Sequence, residues 1–426
     1  MYFKSVRKGL QKVLPEVVAG IDIGTSKVCC YIARLNSSHM HQIIGCGYEA
    51  SRGIKNGSIV DMEALSNAIA RATHNAEQMA QVTINEAFVS LSSSLAHSHV
   101  VDMTLPISGR AVTDQDIQKM IVHASESVES SSTGVIHTIP LHYSVDNTKG
   151  IRDPRGMFGN ILGTGIHLIS AETGPLRNFL ACIERCHLDV SDFVVAPYAS
   201  GLACLVEDEL DLGVTLVEMG AGSTSIAIFY EGKLHHVDHI NVGGAHVTND
   251  LARGLSTPLN HAERVKILYG SAMVSPLSSS EERTGIRVPQ IGEDDVNKGV
   301  QVNKSELVRI IRPRIEETFE LVREKLKEIP DLSKISKRLV LTGGASQLNG
   351  VRELGSMILD KHTRLGKPIH VQGIDERVRT ASFATCAGLI SLAKKEQKIA
   401  YGPQKKPKND NISFLGRIGS WLKDNL

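Results

Sequence analysis

The feature of this chain that most constrains its fold is a strand–glycine–strand unit that occurs twice. The first copy is an apolar strand at 17–23 that overlaps the turn Gly20 to Lys27. The second is an apolar run at 212–218 that leads into the turn Glu218 to Ser225. In each copy an acidic residue precedes a glycine by two positions and small hydroxyl residues follow, and the copies lie 196 positions apart. Two such hairpins can face each other across a cleft.

The chemistry of the repeated unit suits a triphosphate. Glycine at a hairpin tip lets backbone N–H groups approach phosphate oxygens without an intervening side chain. The acidic residues Asp22 and Glu218 suit a hydrated magnesium ion, because they would repel phosphate itself. The residues that we expect to bind phosphate are Gly24, Thr25, Ser26, Lys27, Gly220, Gly222, Ser223 and Thr224.

A third glycine-containing element completes the pattern. The apolar strand Arg338 to Leu341 runs into Thr342 to Ser346, and a helix is expected at 351–359. Adjacent glycines, Gly343 and Gly344, allow a backbone to lie close against a flat ring. A single glycine-rich hairpin is common, but two matching copies with this third element point to a nucleotide site. The chain has no P-loop and no dinucleotide-binding glycine motif.

Composition excludes several other functions. The formal net charge of +1 argues against a general nucleic-acid-binding protein. The seven cysteines show no CxxC spacing, which is typical of reduced, buried thiols. The cluster of His235, His236 and His239 lacks partner ligands at metal-binding spacing, so we expect a structural role. No apolar run is long enough for a transmembrane helix, and the N-terminus does not resemble a secretory signal.

Residues 85–164 are predicted to form a compact α+β insert. Strands are expected at 86–91, 97–105 and 135–145. A helix is expected at 113–128, with Thr113 as its N-cap. A further helix is expected at 305–329, kinked or split at Pro313.

The C-terminal end has the composition of a linker followed by an amphipathic helix. Residues 397–411 are polar, basic and contain two prolines, which favours a flexible linker. On a helical wheel, one half of the segment 412–426 is mostly apolar and the other half polar. This arrangement predicts an interfacial membrane helix, and docking on the protein's own body or on a partner is the alternative. Its membrane-contacting residues are expected to be Ile412, Phe414, Leu415, Ile418, Trp421, Leu422 and Leu426.

On these motifs the chain resembles the actin superfamily and, within it, the FtsA family of bacterial cell-division proteins. Gly20 to Lys27 is similar to the first phosphate loop of the family, Glu218 to Ser225 to the second, and Leu341 to Ser346 to the adenosine loop. The segments 51–57 and 88–92 are also similar to the family's. The resemblance implies an α/β, actin-like fold: a duplicated ribonuclease-H-like fold with two lobes, an inserted α+β subdomain and a C-terminal amphipathic helix. ATP and Mg²⁺ are the implied cofactors. The residues bordering the nucleoside would be Glu263, Lys266, Gly343 and Gly344, and the other implied nucleotide-binding residues are Gly243, Gly244 and Ala345.

The resemblance also implies how the chain is divided. Subdomain 1A would comprise residues 17–84, 165–200 and 375–396, and the insert, subdomain 1C, residues 85–164. Subdomain 2A would comprise 201–240 and 312–374, and subdomain 2B residues 241–311.

The partners implied by the family are self-associated filaments, other proteins of the division machinery, anionic membrane lipid and the C-terminal tail of the tubulin-like protein FtsZ. Lys304 and Arg309 are the candidate contacts for that tail. The implied location is the cytoplasmic face of the bacterial inner membrane, peripherally bound at the division septum. A pilus-assembly ATPase type and a small-molecule kinase of the same superfamily are the alternatives.

Two positions depart from the family pattern. The second loop usually begins with aspartate and carries another aspartate soon after its threonine, and here Glu218 and Ser225 stand in those places. The missing carboxylate removes a group that could orient an attacking water. We therefore expect ATP binding with, at most, weak hydrolysis, and no catalytic residue is identified.

Overall fold

A computed structural model of the protein describes residues 17–35, 41–273, 285–292, 299–329, 331, 337–373 and 375–400. Two five-stranded sheets organise the two lobes. The strands of the first lobe are β1 (Val17–Ile23), β2 (Lys27–Leu35), β3 (His41–Ala50), β4 (Ile54–Lys55), β5 (Ser58–Ile59), β6 (Glu86–Leu91) and β11 (Asp189–Val195). Its helices are α1 (Met62–Ala80), α3 (Thr173–Glu184) and α10 (Ala384–Ala400).

The second lobe contains the strands β12 (Val214–Met219), β13 (Thr224–Tyr230), β14 (Lys233–Ile240), β15 (Ile286–Val288), β16 (Val300–Val302), β17 (Arg338–Thr342) and β18 (His362–Leu365). Its helices are α4 (Ala196–Cys204), α5 (Glu207–Leu212), α6 (Gly244–Gly254), α7 (Leu259–Tyr269), α8 (Lys304–Lys327) and α9 (Val351–Leu359). Helices α4 and α10 pack against each other between the two sheets.

The two large sheets have the same strand topology. The first sheet has the order β11-β6-β1-β2-β3 and the second has the order β18-β17-β12-β13-β14. In each, an antiparallel hairpin is flanked by a parallel strand: β1 pairs with β2 and β6, and β12 pairs with β13 and β17. The internal repeat of the sequence is therefore a repeat of structure, and each glycine hairpin occupies the same place in its lobe.

The insert is a four-stranded sheet covered by one helix. Its elements are β7 (Ala96–Pro106), α2 (Asp114–Glu126), β8 (Thr133–Val145), β9 (Thr148–Ile151) and β10 (Ile161–Glu172), and the strand order is β7-β10-β8-β9. Helix α2 begins at the predicted cap: the Thr113 hydroxyl accepts from the Asp116 N–H, and the Asp116 carboxylate accepts from the Thr113 N–H in return.

Several predicted boundaries differ from the structure. The strand at 86–91, predicted within the insert, is β6 of the first sheet, because it pairs in parallel with β1. Strand β10 continues the insert sheet to Glu172, past the predicted end at residue 164. The run at 212–218 is not one strand, since Leu212 is the exposed last residue of α5 and β12 begins at Val214.

Two helices also differ from prediction. Helix α8 continues through Pro313 without splitting. Residues 397–400, predicted as the start of the linker, belong to α10. The rest of the linker and the predicted membrane helix at 412–426 lie outside the described residues. Within the described part of the chain, no helix is long and apolar enough to cross a membrane.

Candidate functional site

A cavity of about 640 Å³ lies where the two glycine hairpins and the 343–345 segment meet. Fifteen of the seventeen residues predicted to bind nucleotide line it. The two exceptions are Thr224 and Gly243. Thr224 is fully buried, and its hydroxyl donates to the carbonyl of Val242 at 2.7 Å. This bond joins the second hairpin to the segment that follows β14. A Cβ on Gly243 would lie 2.6 Å from the carbonyl oxygen of Ala221, so this glycine allows close packing behind the same hairpin.

The first hairpin positions Asp22 at the end of β1. The turn is closed by the Gly24 N–H, which donates to the Lys27 carbonyl at 3.0 Å. Ser90, at the end of neighbouring β6, donates its hydroxyl to Asp22 Oδ1 at 2.8 Å and accepts from the Ile23 N–H at 2.9 Å. Burial raises the pKa of Asp22, and the bond from Ser90 opposes that rise.

The second hairpin repeats this geometry. The Gly220 N–H donates to the Ser223 carbonyl at 2.9 Å, as Gly24 does in the first lobe. At its tip Gly222 faces the first lobe, where a Cβ would lie 2.8 Å from Thr25 Oγ1 and 3.0 Å from Asn56 Cα. Any larger side chain at this tip would push the two lobes apart, so glycine is required by the closed cleft.

Glu218 is the buried acidic residue of the second hairpin. Its Oε1 accepts hydrogen bonds from the hydroxyls of Ser200 at 2.8 Å and Thr385 at 2.5 Å. Its Oε2 is buried and has no hydrogen-bond partner among the described residues. Burial raises the pKa of Glu218 to about 7, and the nearby charge of Asp22 contributes to that rise.

This pair of carboxylates fits a hydrated magnesium ion. Mg²⁺ keeps several waters and is commonly held by one or two carboxylates together with substrate phosphates. The unpaired Oε2 of Glu218 is an acceptor that such a hydrated ion would satisfy. No group of three or more histidine, cysteine or acidic side chains is placed to hold a metal ion in the regions that the structure describes.

The end of the cavity that Glu263 lines is organised by Lys266. Its ammonium group donates to Gly244 O at 3.0 Å, to Thr248 Oγ1 at 2.8 Å and to Glu263 Oε2 at 2.7 Å. These bonds join α7 to the N-terminal turn of α6. Lys266 thus orients Glu263 at the cavity wall and itself lines the cavity.

The glycine segment that follows β17 forms another part of the cavity wall. Gly343 has a φ of 83°, and a Cβ there would lie 2.5 Å from the carbonyl oxygen of Met219. Gly344 and Ala345 follow it into a 3₁₀ turn that also lines the cavity. The conformation of Gly343 is one that residues with a side chain rarely adopt, which explains the glycine at this position.

Sequence reasoning missed the hydroxyls that hold the carboxylates. Ser90, Ser200 and Thr385 come from three separate elements, and none of them stands in a glycine motif. Ser90 does lie in the recognised segment 88–92, at the end of a strand parallel to β1, which is the only signal in the sequence that points to it.

The remaining predicted residues lie away from this cavity. Lys304 and Arg309 are on α8, with Arg309 exposed, and neither lines the cavity. The seven apolar residues predicted to contact membrane lie outside the described residues. The histidines at 235, 236 and 239 are on β14, and burial lowers the pKa of each.

Solved structures share this architecture. A chain of a PilM-PilN type IV pilus biogenesis complex superposes with a TM-score of 0.63 at 17% identity, covering 89% of this chain and 99% of its own. MreB5 of Spiroplasma citri, bound to ADP, superposes with a TM-score of 0.54 at 15% identity, covering 91% of this chain and 100% of its own. At these identities the likeness establishes the actin-like fold alone.

Sequence comparisons identify the family. Residues 215–388 match the family "Cell division protein FtsA", and residues 94–170 match "SHS2 domain inserted in FTSA". The cell division protein FtsA of Agrobacterium fabrum is 39% identical over the full length of both chains. Those of Pseudomonas aeruginosa and Escherichia coli K12 are 33% and 30% identical, each covering 96% of this chain and 98% of the relative. The chain belongs to the FtsA family of actin-like cell-division proteins.

Proposed function

We propose that the cleft binds ATP with a hydrated magnesium ion, and that the protein links filaments of FtsZ to the cytoplasmic membrane during division. The observation that carries the nucleotide proposal is the pair of equivalent glycine hairpins, with Asp22 and Glu218 at corresponding strand ends and one Glu218 oxygen unpaired. The fold neighbour MreB5 was solved with ADP and with AMPPNP, so a nucleotide in a cleft of this fold is chemically reasonable.

Different residues of the cleft would contact the phosphates, the magnesium ion and the nucleoside. Backbone N–H groups of the two hairpins would face the phosphates, with the hydroxyls of Thr25, Ser26 and Ser223 beside them. Asp22 and Glu218 would hold the waters of the magnesium ion, which neutralises phosphate charge when bound. Glu263 and the 343–345 segment would border the ribose and base.

The same geometry argues for slow hydrolysis. Ser225 stands where the family commonly places a second carboxylate, and its hydroxyl already shares a hydrogen bond with Ser93. Glu218 Oε1 is committed to two hydroxyls. Its free oxygen, Oε2, is the one that we assign to the waters of the magnesium ion, and Ser225 leaves the second hairpin without a further carboxylate to orient a water near the terminal phosphate. ATP would act mainly as a ligand that holds the lobes together.

Calorimetric titration of MgATP into the full-length protein tests the nucleotide site. We expect binding to the native protein and at least ~100-fold weaker binding to Gly222→Val, because the valine would collide with Thr25 and Asn56. Gly174→Ala is the matched control, since a Cβ there meets nothing within 4 Å. Absence of ATP binding to the native protein would refute this part of the proposal.

The membrane role rests on the amphipathic pattern of residues 412–426. Seven apolar residues give only marginal anchoring, so stable attachment would require filaments that present many tails together. Emission of Trp421, the single tryptophan, should shift to the blue on titration with anionic vesicles, and more strongly with ATP. Emission that is already blue in buffer and indifferent to lipid would mean that the tail docks on protein instead.

The FtsZ contact is proposed on α8. Lys304 and Arg309 are basic residues near the start of this helix, and family membership supplies the acidic tail of FtsZ as the partner. Binding of a fluorescent FtsZ C-terminal peptide should weaken about tenfold in Lys304→Glu/Arg309→Glu, because the charge complementarity is reversed. Unchanged peptide binding would show that the FtsZ tail binds elsewhere on the protein.

The role in division can be distinguished from the two alternative functions. Loss of septal localisation on deletion of residues 412–426 would distinguish it from pilus assembly. Family membership already favours division over a small-molecule kinase.

A further inference from the structure

The insert is attached to the two lobes in different ways. Its chain enters after β6 and leaves into α3, so both covalent connections belong to the first lobe. Its side-chain bonds, however, extend to β14 of the second lobe. Lys233 at the start of β14 donates to the carbonyl of Leu141 in β8 at 2.8 Å. The insert therefore bridges the lobes, because it is joined covalently to the first lobe and by hydrogen bonds to the second.

The centre of this bridge is His167 in β10, which is fully buried. Its Nδ1 lies 2.8 Å from the carbonyl oxygen of Leu234 in β14, and its Nε2 lies 2.7 Å from the hydroxyl of Ser98 in β7. A carbonyl oxygen only accepts, so Nδ1 carries the proton and Nε2 accepts from Ser98. The Ser98 oxygen in turn accepts from the N–H of Val237 at 3.3 Å.

These contacts satisfy the open edge of a sheet. Strand β14 is the outermost strand of the second sheet, so backbone groups on its outer side have no neighbouring strand. The carbonyl of Leu234 and the N–H of Val237 are such groups, and the Ser98–His167 pair supplies an acceptor and a donor for them. Without the pair, both backbone groups would be left without these partners.

Strand β14 is also connected to the cleft. It ends at Ile240, and the following segment is bound to the second hairpin: Thr224 donates to Val242 O at 2.7 Å, and Gly244 N–H donates to Gly220 O at 2.9 Å. Ala245 N–H donates to Ala221 O at 2.9 Å. A shift of the second hairpin toward phosphate would therefore carry β14 with it.

We propose that the Ser98–His167 pair couples the insert to the cleft, so that ligand binding between the lobes sets the position of the insert through β14. The path consists of residues that are adjacent in the chain or joined by hydrogen bonds. It runs from the second hairpin through 240–245 to β14, and then to β7 and β10. The use of MgATP as the ligand rests on the proposed nucleotide function. The contact of Ser98 and His167 with β14 does not depend on that function.

Hydrogen–deuterium exchange of the full-length protein tests the contact first without any ligand. Ser98→Ala removes the hydroxyl that lies between His167 and the Val237 N–H, with little change of volume. It should speed amide exchange in β14 about three- to tenfold, the range expected for one lost hydrogen bond. His99→Ala, on the opposite, exposed face of β7, is the control and should leave β14 exchange unchanged. Exchange in β14 that is identical in Ser98→Ala and the native protein overturns the proposal, whether or not nucleotide binds.

Saturating MgATP then tests the coupling. In the native protein and in His99→Ala, we expect exchange to change in β14 and in peptides from β7 and β10. In Ser98→Ala, β14 should still respond while the response of the insert peptides falls at least about threefold. Lys233→Met, which removes the bond to Leu141, should weaken the insert response in the same direction.

The outcomes separate this inference from the nucleotide proposal. Calorimetry on each variant shows directly whether MgATP binds. If MgATP binds and the insert of Ser98→Ala responds as in the native protein, the coupling is wrong and the nucleotide site stands. If MgATP binds none of the proteins, the nucleotide proposal fails. The exchange of β14 without ligand then still shows whether the Ser98–His167 pair protects this strand.

Discussion

Ser93 of the first lobe and Ser225 of the second lobe share a hydrogen bond of 2.6 Å, with both side chains buried. Ser93 begins the 3₁₀ turn after β6, and Ser225 lies in β13 directly opposite Glu218. The bond therefore joins the lobes beside the carboxylate that we assign to magnesium. The position at which the family commonly carries a second aspartate is used here as a latch between the lobes.

Ser225→Ala should weaken this latch. The loss of one buried hydroxyl–hydroxyl bond costs about 1 kcal/mol, which corresponds to about fivefold weaker MgATP binding if the ligand requires the closed cleft. Calorimetric titration of the native and variant proteins provides the measurement. Ser130→Ala, in an exposed turn of the insert, is the control. An affinity equal to that of the native protein would show that the closed arrangement does not depend on this bond.

Glu218 should make the stability of the ligand-free protein fall as pH rises. Its pKa is about 7 in the folded protein, against 4.5 as its ordinary value. The folded state therefore binds more protons between these values, and its free energy of unfolding decreases as pH rises from about 4.5 to 7. Each pKa unit corresponds to about 1.4 kcal/mol, so a loss of a few kcal/mol is expected.

Urea unfolding at pH 5 and pH 8 checks this prediction with Glu218→Gln, which cannot titrate and should show a flatter dependence. At pH 8, Mg²⁺ should raise the Tm of the native protein, because it offsets the repulsion between Glu218 and Asp22, and should have little effect on the variant. A pH dependence that is the same in both proteins would remove Glu218 as its source.

Two histidines of the insert, the half-buried His137 and the buried His167, should act in the opposite direction. Burial lowers the pKa of His137 to about 3 and that of His167 to about 4, and neighbouring histidines add to both shifts. His137 Nε2 accepts a hydrogen bond from the Val195 N–H at 3.1 Å. The protonated ring cannot accept this hydrogen bond, because both of its nitrogens then carry a proton. The unfolded chain binds more protons below the ordinary value of 6.5, so stability is fully present above pH 6.5 and is lost as pH falls toward 4.

His137→Gln tests this dependence, because its amide oxygen can accept from Val195 without titrating. Between pH 6 and pH 5 the native protein should lose about 1 kcal/mol more than the variant, close to the value for one proton per pH unit. His74→Gln, on the exposed face of α1, should behave as the native protein does. Parallel curves for native and His137→Gln would contradict the assigned bond.

The sequence was informative where the chemistry depends on backbone geometry. The hairpins around Gly24 and Gly220 could be predicted because the glycine pattern repeats, and the tight approach at Gly343 because its backbone conformation favours glycine. The assignment of β6 to the insert was wrong, because an isolated apolar strand does not show that its partner is β1, more than sixty residues earlier in the chain.

The hydroxyl partners of the carboxylates could not be predicted for a related reason. Thr385 meets Glu218 only because α10 returns from the end of the chain to pack between the lobes. Serine and threonine are common on helices, and nothing in the local sequence distinguishes this threonine. The sequence also did not indicate the three bonds that Lys266 makes to protein oxygens, while its predicted contact with nucleotide stays a prediction.

The close crossing of α10 and α4 gives the most direct test of how the two lobes are joined. A Cβ on Gly388 of α10 would lie 1.7 Å from the carbonyl oxygen of Ala199 in α4, a contact that only movement of a helix can relieve. Gly388→Ala should therefore lower the free energy of unfolding by about 2 kcal/mol, although alanine favours a helix over glycine by about 1 kcal/mol. Thr385 lies one turn earlier on α10, so the variant should also disturb its bond to Glu218 and weaken MgATP binding.

Gly174→Ala in α3 is the matched control, since its Cβ meets nothing within 4 Å and the change should stabilise the protein by up to about 1 kcal/mol. Urea unfolding measures both. If Gly388→Ala gains stability as Gly174→Ala does, the two helices are further apart than the structure has them. The lobes would then be joined mainly through the hairpin end of the cleft, and Ser225→Ala would have the larger effect on MgATP binding.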